Sequence, residues 1–147
     1  MSSIHASAVL VGDRAILIRG RSGTGKSRLS FDLILAGRSG QIAKTVLIGD
    51  DRVEVATTPQ GLVVSPAEPL AGLIEIRGLG VRRCDFAAQA VVGLVVDLAA
   101  ADAERLPQPA ALRTTIAGIE LPRLPIAADF DALPVVVAAL TTAEVTA

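Results

Sequence analysis

The chain has 147 residues, 51% of them hydrophobic, and its 14 basic and 15 acidic residues give a formal net charge of −1. This length predicts one domain with its own core, and the near-neutral charge with scattered arginines argues against nucleic acid as a partner. There is no apolar run of the roughly 18 residues that a membrane span needs, no basic signal region and only one cysteine, Cys84, so we expect a cytoplasmic protein without a disulfide.

The first predicted elements are a hairpin and a helix. Residues 7–19, SAVLVGDRAILIR, contain two apolar runs around Gly12-Asp13, which predicts two strands joined by a tight turn. Residues 26–35 carry apolar side chains at helical spacing, and Gly37 is the expected end of that helix. The stretch between them is therefore a loop that follows a strand and precedes a helix.

That loop has the pattern G-x-x-x-x-G-K-S, which is typical of phosphate-binding loops. Its glycines allow successive backbone N–H groups to face one anion, and the start of the helix adds positive potential. Eight residues are candidate nucleotide contacts: Gly20, Arg21, Ser22, Gly23, Thr24, Gly25, Lys26 and Ser27. Lys26 is expected on the β and γ phosphates and Ser27 on Mg²⁺. The alternative is a glycine-rich turn with a solvated lysine.

An acidic pair, Asp50 and Asp51, ends the next predicted strand, TVLIG. Phosphoryl transfer with Mg²⁺ needs carboxylates that hold the metal and orient or deprotonate the attacking hydroxyl. Neighbouring residues of a strand point to opposite faces, so both carboxylates serve one site only if the chain bends there. The alternative is a pair of solvated turn carboxylates beside Arg52.

The segment that follows predicts short strands. Pro59-Gln60-Gly61 predicts a turn between two of them, and the glycines of residues 68–83 argue against a long helix. The apolar run at residues 90–98 predicts a buried strand. Glu75 and Arg77 form a polar pair in the glycine-rich segment, where a structural ion pair is the alternative to a functional role.

The last third of the chain predicts irregular structure followed by two or three short elements. Residues 99–109, rich in alanine and proline, are expected to be partly helical. Residues 116–126 predict a last strand pair broken by Pro122 and Pro125. Residues 132–140, ALPVVVAAL, predict either a short helix or a strand. There is no repeat and no linker that would divide the chain.

In combination, these pieces resemble the C-terminal catalytic domain of the bacterial HPr kinase/phosphorylase family. The matching pieces are His5 in IHASAVLV, the loop GRSGTGKS, the pair in IGDDRVEV and the segment EIRGLGV. The resemblance spans nearly the whole chain, and EIRGLG is its most diagnostic part. It implies an α/β fold, a single compact phosphate-loop domain over residues 1–147 with a mixed β-sheet and a core similar to phosphoenolpyruvate carboxykinase. The N-terminal domain that family members commonly carry is expected to be absent.

The resemblance also implies an activity. Family members use Mg²⁺ and ATP or pyrophosphate to phosphorylate a serine of HPr, the small phosphocarrier of the bacterial phosphotransferase system. Many of them also catalyse phosphorolysis of that phosphoserine, and they assemble as homohexamers. The expected function is therefore a Mg-ATP-dependent serine kinase that acts on an HPr-type carrier.

Site roles follow from the same resemblance. Asp51 would be the base that takes the serine proton, with Asp50 beside it and His5 against the pair. Ser27 and Glu75 would bind Mg²⁺. Arg105 in AERLP matches, less securely, a family arginine that contributes to catalysis.

One departure from the family concerns the direction of the reaction. After the late strand pair, family members carry two arginines associated with dephosphorylation, whereas residues 125–133, PIAADFDAL, have no arginine and two aspartates. Anionic phosphoserine and phosphate would meet negative charge there, so phosphorylase activity is in doubt. Two other functions stay open: a small-molecule hydroxyl kinase on the same scaffold, and a nucleotide-sensing module without chemistry.

Overall fold

The computed structural model describes residues 1–145, which contain two α-helices and eleven β-strands. The helices are α1 (Lys26–Arg38) and α2 (Ala132–Thr141). The strands are β1 (Ser2–Ile4), β2 (Ala6–Val11), β3 (Arg14–Arg19), β4 (Thr45–Gly49), β5 (Val53–Thr58), β6 (Gly61–Pro66), β7 (Leu73–Ile76), β8 (Gly80–Arg83), β9 (Ala90–Asp97), β10 (Arg113–Ile116) and β11 (Ile119–Pro125).

Nine strands form one large mixed sheet. The main order is β1-β5-β6-β9-β3-β2-β4. In addition, β11 pairs with the end of β9, and β10 pairs with β11. β9 runs parallel to both β3 and β11, whereas the other pairs of this sheet are antiparallel. β7 and β8 form a separate hairpin. The predicted α/β fold with a mixed sheet is confirmed.

Two hydrophobic cores lie on the two faces of this sheet. Successive side chains of β3 point to opposite faces of the sheet and so enter different cores. Ile16 and Ile18 pack with α1 and α2, whereas Ala15 and Leu17 pack with β5 and β6. Both faces of β3 are therefore covered, and the strand that leads into the phosphate loop is fixed from both sides. Neither helix of residues 1–145 has the length and hydropathy that crossing a bilayer requires.

The hairpin predicted before the loop is confirmed as β2 and β3. The predicted helix begins at Lys26 but continues through Gly37, which was expected to end it. Glycine is needed at this position because a Cβ there would lie 2.8 Å from the backbone nitrogen of Thr45, where α1 packs against β4. The helix ends before Gly40, whose φ of 82° supplies the left-handed conformation that commonly follows a helix C-terminus.

The prediction that residues 99–109 are partly helical is wrong. Residues 99–108 consist of turns, bends and irregular chain, and helical geometry begins only at Pro109, with a single 3-10 turn at Pro109–Leu112. Ala100 N donates to Ile126 O, directly after β11, at 2.8 Å, so this part of the backbone bonds to a distant residue and not within a helix. Pro107 also has no N–H to donate.

The remaining elements of the C-terminal region are of the predicted types. The last strand pair is formed by β10 and β11, but the predicted breaks are wrong, because Pro122 and Pro125 both lie within β11. Of the two alternatives for residues 132–140, the helix is the one that forms. Asp131 caps it by accepting a hydrogen bond from Leu133 N at 3.2 Å.

Candidate active site

The phosphate loop, residues 20–27, joins β3 to α1. Gly23 and Gly25 have φ values of 86° and 102°, which residues with a Cβ rarely adopt. Glycine is required at residue 20 for a different reason, because a Cβ there would lie 2.4 Å from Thr24 Oγ1. That hydroxyl donates to the carbonyl oxygen of Arg21 at 2.7 Å, so the loop closes on itself.

Lys26 is the buried cation of this loop. Its residue exposure is 5%, and its Nζ donates to the carbonyl oxygens of Gly20 and Arg21 at 2.8 and 3.1 Å. Both acceptors are neutral, so no carboxylate among residues 1–145 pairs with its charge. The backbone N–H groups of Ser22 and Gly23 form no hydrogen bond within the same range. The loop thus offers unpaired donors and a positive charge to an anion.

The chain turns sharply at the acidic pair. Asp51 has a φ of 67°, and Arg52 N donates to Asp50 O at 2.8 Å. A hydrogen bond over two residues with a positive φ between them defines a γ-turn of the rare, strained form. Gly49 permits the tight return, because a Cβ there would lie 2.7 Å from Val53 Cγ1. The bend that a shared site for both carboxylates requires is present.

Asp50 is buried and accepts hydrogen bonds from three segments. Its exposure is 7%. Oδ1 accepts from Ser7 Oγ at 2.9 Å and from Ser27 Oγ at 2.7 Å, and Oδ2 accepts from the backbone N–H of Glu75 at 3.0 Å. Because Ser27 belongs to the phosphate loop, this carboxylate links the loop to β2 and to the β7–β8 hairpin.

Asp51 faces solvent and contacts His5. Its side chain is 65% exposed, and His5 Nε2 lies 2.5 Å from Asp51 Oδ1. An exposed pair of this kind contributes only about 0–1 kcal/mol to stability. Asp51 is therefore the member of the acidic pair that a substrate hydroxyl can reach.

Two of the predicted site residues are not joined to this network by their side chains. The Glu75 side chain is exposed and forms no hydrogen bond or ion pair within residues 1–145, so the structural ion pair with Arg77 is not formed. Arg105 is likewise exposed and has no hydrogen-bond partner in that part of the chain. Glu75 nevertheless reaches the site through its backbone, whereas Arg105 does not contact the acidic pair or the loop by a hydrogen bond.

Cys84 lies beside the β7–β8 hairpin and is partly buried. Burial, and next the Asp85 carboxylate, raise the pKa of its thiol above the ordinary value. A thiol with a raised pKa has little thiolate at neutral pH, so Cys84 is poorly suited to act as a nucleophile.

Ser7 also belongs to the site, although no motif in the sequence indicates it. This residue is fully buried in β2, where its Oγ donates to Asp50 Oδ1 and accepts from Asp51 N at 3.0 Å. The signal that could have revealed it is a hydroxyl within the otherwise apolar run ASAVLV, because a buried hydroxyl in a strand needs a partner.

A second polar cluster, the Asp97 cluster, consists of Arg19, Asp97, Asp102 and Arg123. Arg19 Nε donates to Asp97 Oδ1 at 2.7 Å, and Arg123 Nε donates to Asp97 Oδ2 at 2.5 Å. Arg123 Nη1 also donates to Asp102 Oδ2 at 2.8 Å. Burial raises the pKa of Asp97, but the two arginines outweigh burial and hold that pKa below its ordinary value. Since Arg19 directly precedes the phosphate loop, the cluster fixes the strand end from which the loop starts.

Comparisons with known proteins point to one family. The model of the family described as HPr Serine kinase C-terminal domain matches residues 1–141. The HPr kinase/phosphorylase of Geobacillus thermodenitrificans (strain NG80-2) is 34% identical over 136 residues, which cover 85% of this chain and 42% of that protein. The HPr kinase/phosphorylase of Streptococcus thermophilus (strain ATCC BAA-491 / LMD-9) is 38% identical over 81 residues, which cover 54% of this chain and 24% of that protein. The matches thus cover less than half of the length of either relative.

A solved structure is similar over nearly the whole chain. The HPr(Ser) kinase/phosphatase from Coxiella burnetii superposes with a TM-score of 0.74 and 25% sequence identity, covering 95% of this chain and 88% of that chain. The fold of this chain is thus similar to that of a solved HPr(Ser) kinase/phosphatase.

Proposed function

The chain belongs to the HPr Serine kinase C-terminal domain family, and on that premise we propose that it is a Mg²⁺- and ATP-dependent kinase that phosphorylates a serine of an HPr-type phosphocarrier protein. The observation that carries the proposal is the hydrogen bond from Ser27 to Asp50, with the exposed Asp51 next in the chain. A phosphate loop alone is compatible with any nucleotide-binding protein. A reachable carboxylate beside it is what transfer to a hydroxyl requires.

In this proposal the phosphate loop binds the β and γ phosphates of ATP. The unpaired N–H groups of Ser22 and Gly23 and the start of α1 supply donors, and Lys26 supplies a full positive charge. Lys26 Nζ, held by neutral carbonyl oxygens, would exchange those contacts for phosphate oxygens. Its charge then stabilises the negative charge that shifts toward the leaving ADP during transfer.

Mg²⁺ fits the oxygen donors of the site. Ser27 and Asp50 already lie within hydrogen-bond distance of each other, and Glu75 reaches the same carboxylate through its backbone. No group of three His, Cys, Asp or Glu side chains among residues 1–145 could hold a metal ion. From the family resemblance we propose Ser27 and Glu75 as metal ligands, with Asp50 holding Ser27 in place and phosphate oxygens completing the coordination, as is usual for Mg²⁺. The ion would neutralise charge on the phosphates.

Asp51 is proposed as the general base. Its carboxylate would accept the proton of the substrate serine as the hydroxyl oxygen attacks the γ-phosphorus and the bond to ADP breaks. His5 Nε2, at 2.5 Å from Oδ1, holds one carboxylate oxygen, which leaves Oδ2 for the incoming hydroxyl. Arg105 is exposed, and its guanidinium would contribute positive charge to the transferring phosphoryl group.

The kinase direction is favoured over phosphorolysis. The segment after β11 carries two aspartates and no arginine, and one of them, Asp131, is used to cap α2. Negative charge in this segment would repel phosphoserine and inorganic phosphate. We also propose that the protein is cytoplasmic and, from the family resemblance, that it forms homohexamers.

The experiment that tests this function measures transfer of label from ATP to protein. The chain, Mg²⁺ and γ-labelled ATP are incubated with a purified HPr-type carrier, and in parallel with the same carrier whose acceptor serine is replaced by alanine. Label on the first carrier alone supports the proposal. ATP turnover with label on small hydroxyl compounds but not on the carrier would favour a small-molecule kinase, and ATP binding without turnover would favour a sensing module.

A further inference from the structure

We propose that Ser7 is a positioning residue of this kinase, whose hydroxyl sets the γ-turn that aims Asp51 at the substrate. The inference rests on the proposed function and adds a residue that lies outside the phosphate loop and the acidic pair. Among residues 1–145, Ser7 is the side chain that hydrogen-bonds to both members of the pair.

The directions of its two hydrogen bonds follow from the donors available. A backbone N–H only donates, so Ser7 Oγ accepts from Asp51 N at 3.0 Å. The single proton of the hydroxyl is then directed to Asp50 Oδ1 at 2.9 Å. One oxygen atom therefore fixes the backbone of one aspartate against the carboxylate of the other.

The pairing of β2 with β4 explains why Ser7 stands at this point. Ala8 pairs with Gly49, and the register shifts by one residue between Ala8 and Val9. Because the two strands are antiparallel, Ser7, which precedes Ala8, lies opposite the end of β4, where Asp50 begins the turn. Ser7 is fully buried, with 0% exposure, so the residues packed around it hold its hydroxyl in one place.

The turn needs such support because its backbone is strained. A residue other than glycine with a positive φ persists only where the surrounding structure holds it. Three contacts hold Asp51: the Arg52 N to Asp50 O bond, the contact with His5, and the bond to Ser7. The His5 contact is solvent-exposed, whereas Ser7 is buried and acts on the backbone. Loss of the Ser7 hydroxyl should therefore let the Asp51 carboxylate leave the reactive orientation.

Kinetics of Ser7→Ala test this role, with Ser30→Ala as the matched control. Ser30 is also fully buried, and its hydroxyl donates to the carbonyl oxygen of Lys26 within α1 at 3.0 Å. For Ser7→Ala we expect kcat to fall about 10- to 100-fold, as for other groups that orient a reacting residue, while the Kd for ATP changes less than about threefold. The control should keep kcat within about twofold.

A second measurement separates this inference from the proposed function. Amide hydrogen exchange of Asp51, followed by NMR, should become at least about tenfold faster in Ser7→Ala, with β3 amides unchanged as a check of folding. Unchanged exchange at Asp51, or a kcat of Ser7→Ala equal to that of the control, would overturn the positioning role. If the unmodified chain transfers nothing to the carrier, the proposed function fails, and the exchange result still decides whether Ser7 sets the turn.

Discussion

Replacement of Asp51 by asparagine tests the assignment of the base. Asparagine has the same shape, and it tolerates a positive φ better than other residues with a Cβ, so the turn should survive. Its amide still meets His5 but cannot take a proton from a serine hydroxyl. The substitution therefore removes the proton acceptor and leaves the geometry of the site in place.

The expected size of the effect follows from the contacts of this side chain. Asp51 contacts His5 and no residue of the phosphate loop by a hydrogen bond, so nucleotide affinity should stay within about twofold. A general base contributes about 10²- to 10⁴-fold to rate, which corresponds to about 3–5 kcal/mol of the barrier. The exposed His5 pair adds about 0–1 kcal/mol to stability, so the melting temperature should fall by no more than about 4 °C.

The assay measures initial rates of carrier phosphorylation and, separately, ATP affinity by calorimetry. Asp13→Asn, an equivalent change at an exposed position in the β2–β3 turn, is the matched control and should retain full activity. A rate for Asp51→Asn within threefold of the control, a limit of about 0.6 kcal/mol, would refute the base assignment. A parallel loss of ATP affinity would place Asp51 in nucleotide binding instead.

Three further predictions concern the loop, the Asp97 cluster and the direction of the reaction. Lys26→Ala should weaken ATP binding at least about tenfold and abolish transfer, because the charge in the loop is lost; unchanged affinity by calorimetry would contradict the loop assignment. Despite burial, Arg19 and Arg123 hold the pKa of Asp97 below its ordinary value, so its stabilisation is present above pH about 4 and is lost as the pH falls through the lower pKa of the folded protein. Asp97→Asn should therefore cost about 3 kcal/mol at pH 7 in urea denaturation, with a smaller difference from the unmodified chain in acid; equal stability at pH 7 would show that the cluster is not a stabilising unit. Phosphorylated carrier with inorganic phosphate should yield little pyrophosphate, and a yield comparable to the forward rate would show that the arginines of the family's late loop are dispensable.

Much of the fold could be predicted because its signals are local. The positions of Gly20 and Gly25 in the motif indicate the phosphate loop, and the helix after it begins at Lys26, as the apolar pattern predicts. The hairpin before the loop follows from two apolar runs around a turn. These features depend on neighbouring residues alone, so no knowledge of distant contacts is needed.

The secondary-structure predictions were wrong where contacts with residues distant in sequence determine the local structure. Gly37 was expected to end α1, but it lies inside the helix because β4 packs too closely for a side chain. Residues 99–109 have a composition compatible with helix, yet Ala100 N donates to the carbonyl oxygen of Ile126, directly after β11, and Asp102 is held by Arg123. Neither partner is close in sequence.

In the candidate site, too, some features could be predicted from local sequence and others depend on residues distant in sequence. The position after a strand indicates the acidic pair, and strand geometry shows that a shared site needs a bend there, but no local pattern indicates that Asp51 in this turn donates a hydrogen bond to Ser7 of another strand. His5 was singled out by family resemblance, and its position 2.5 Å from Asp51 agrees with the place expected for it. For Glu75, the expectation of a side-chain role stays a prediction, since its contact with Asp50 is made by the backbone.

In the proposed mechanism, the phosphate loop and Asp51 act together to move a phosphoryl group from ATP to a carrier serine. Mass spectrometry of the carrier after incubation with Mg²⁺, ATP and either the unmodified chain or Asp51→Asn tests it most directly. We predict one added phosphoryl group on the acceptor serine with the unmodified chain and almost none with the variant. A carrier that stays unmodified while the chain binds ATP, or that is modified equally by both proteins, would contradict this mechanism.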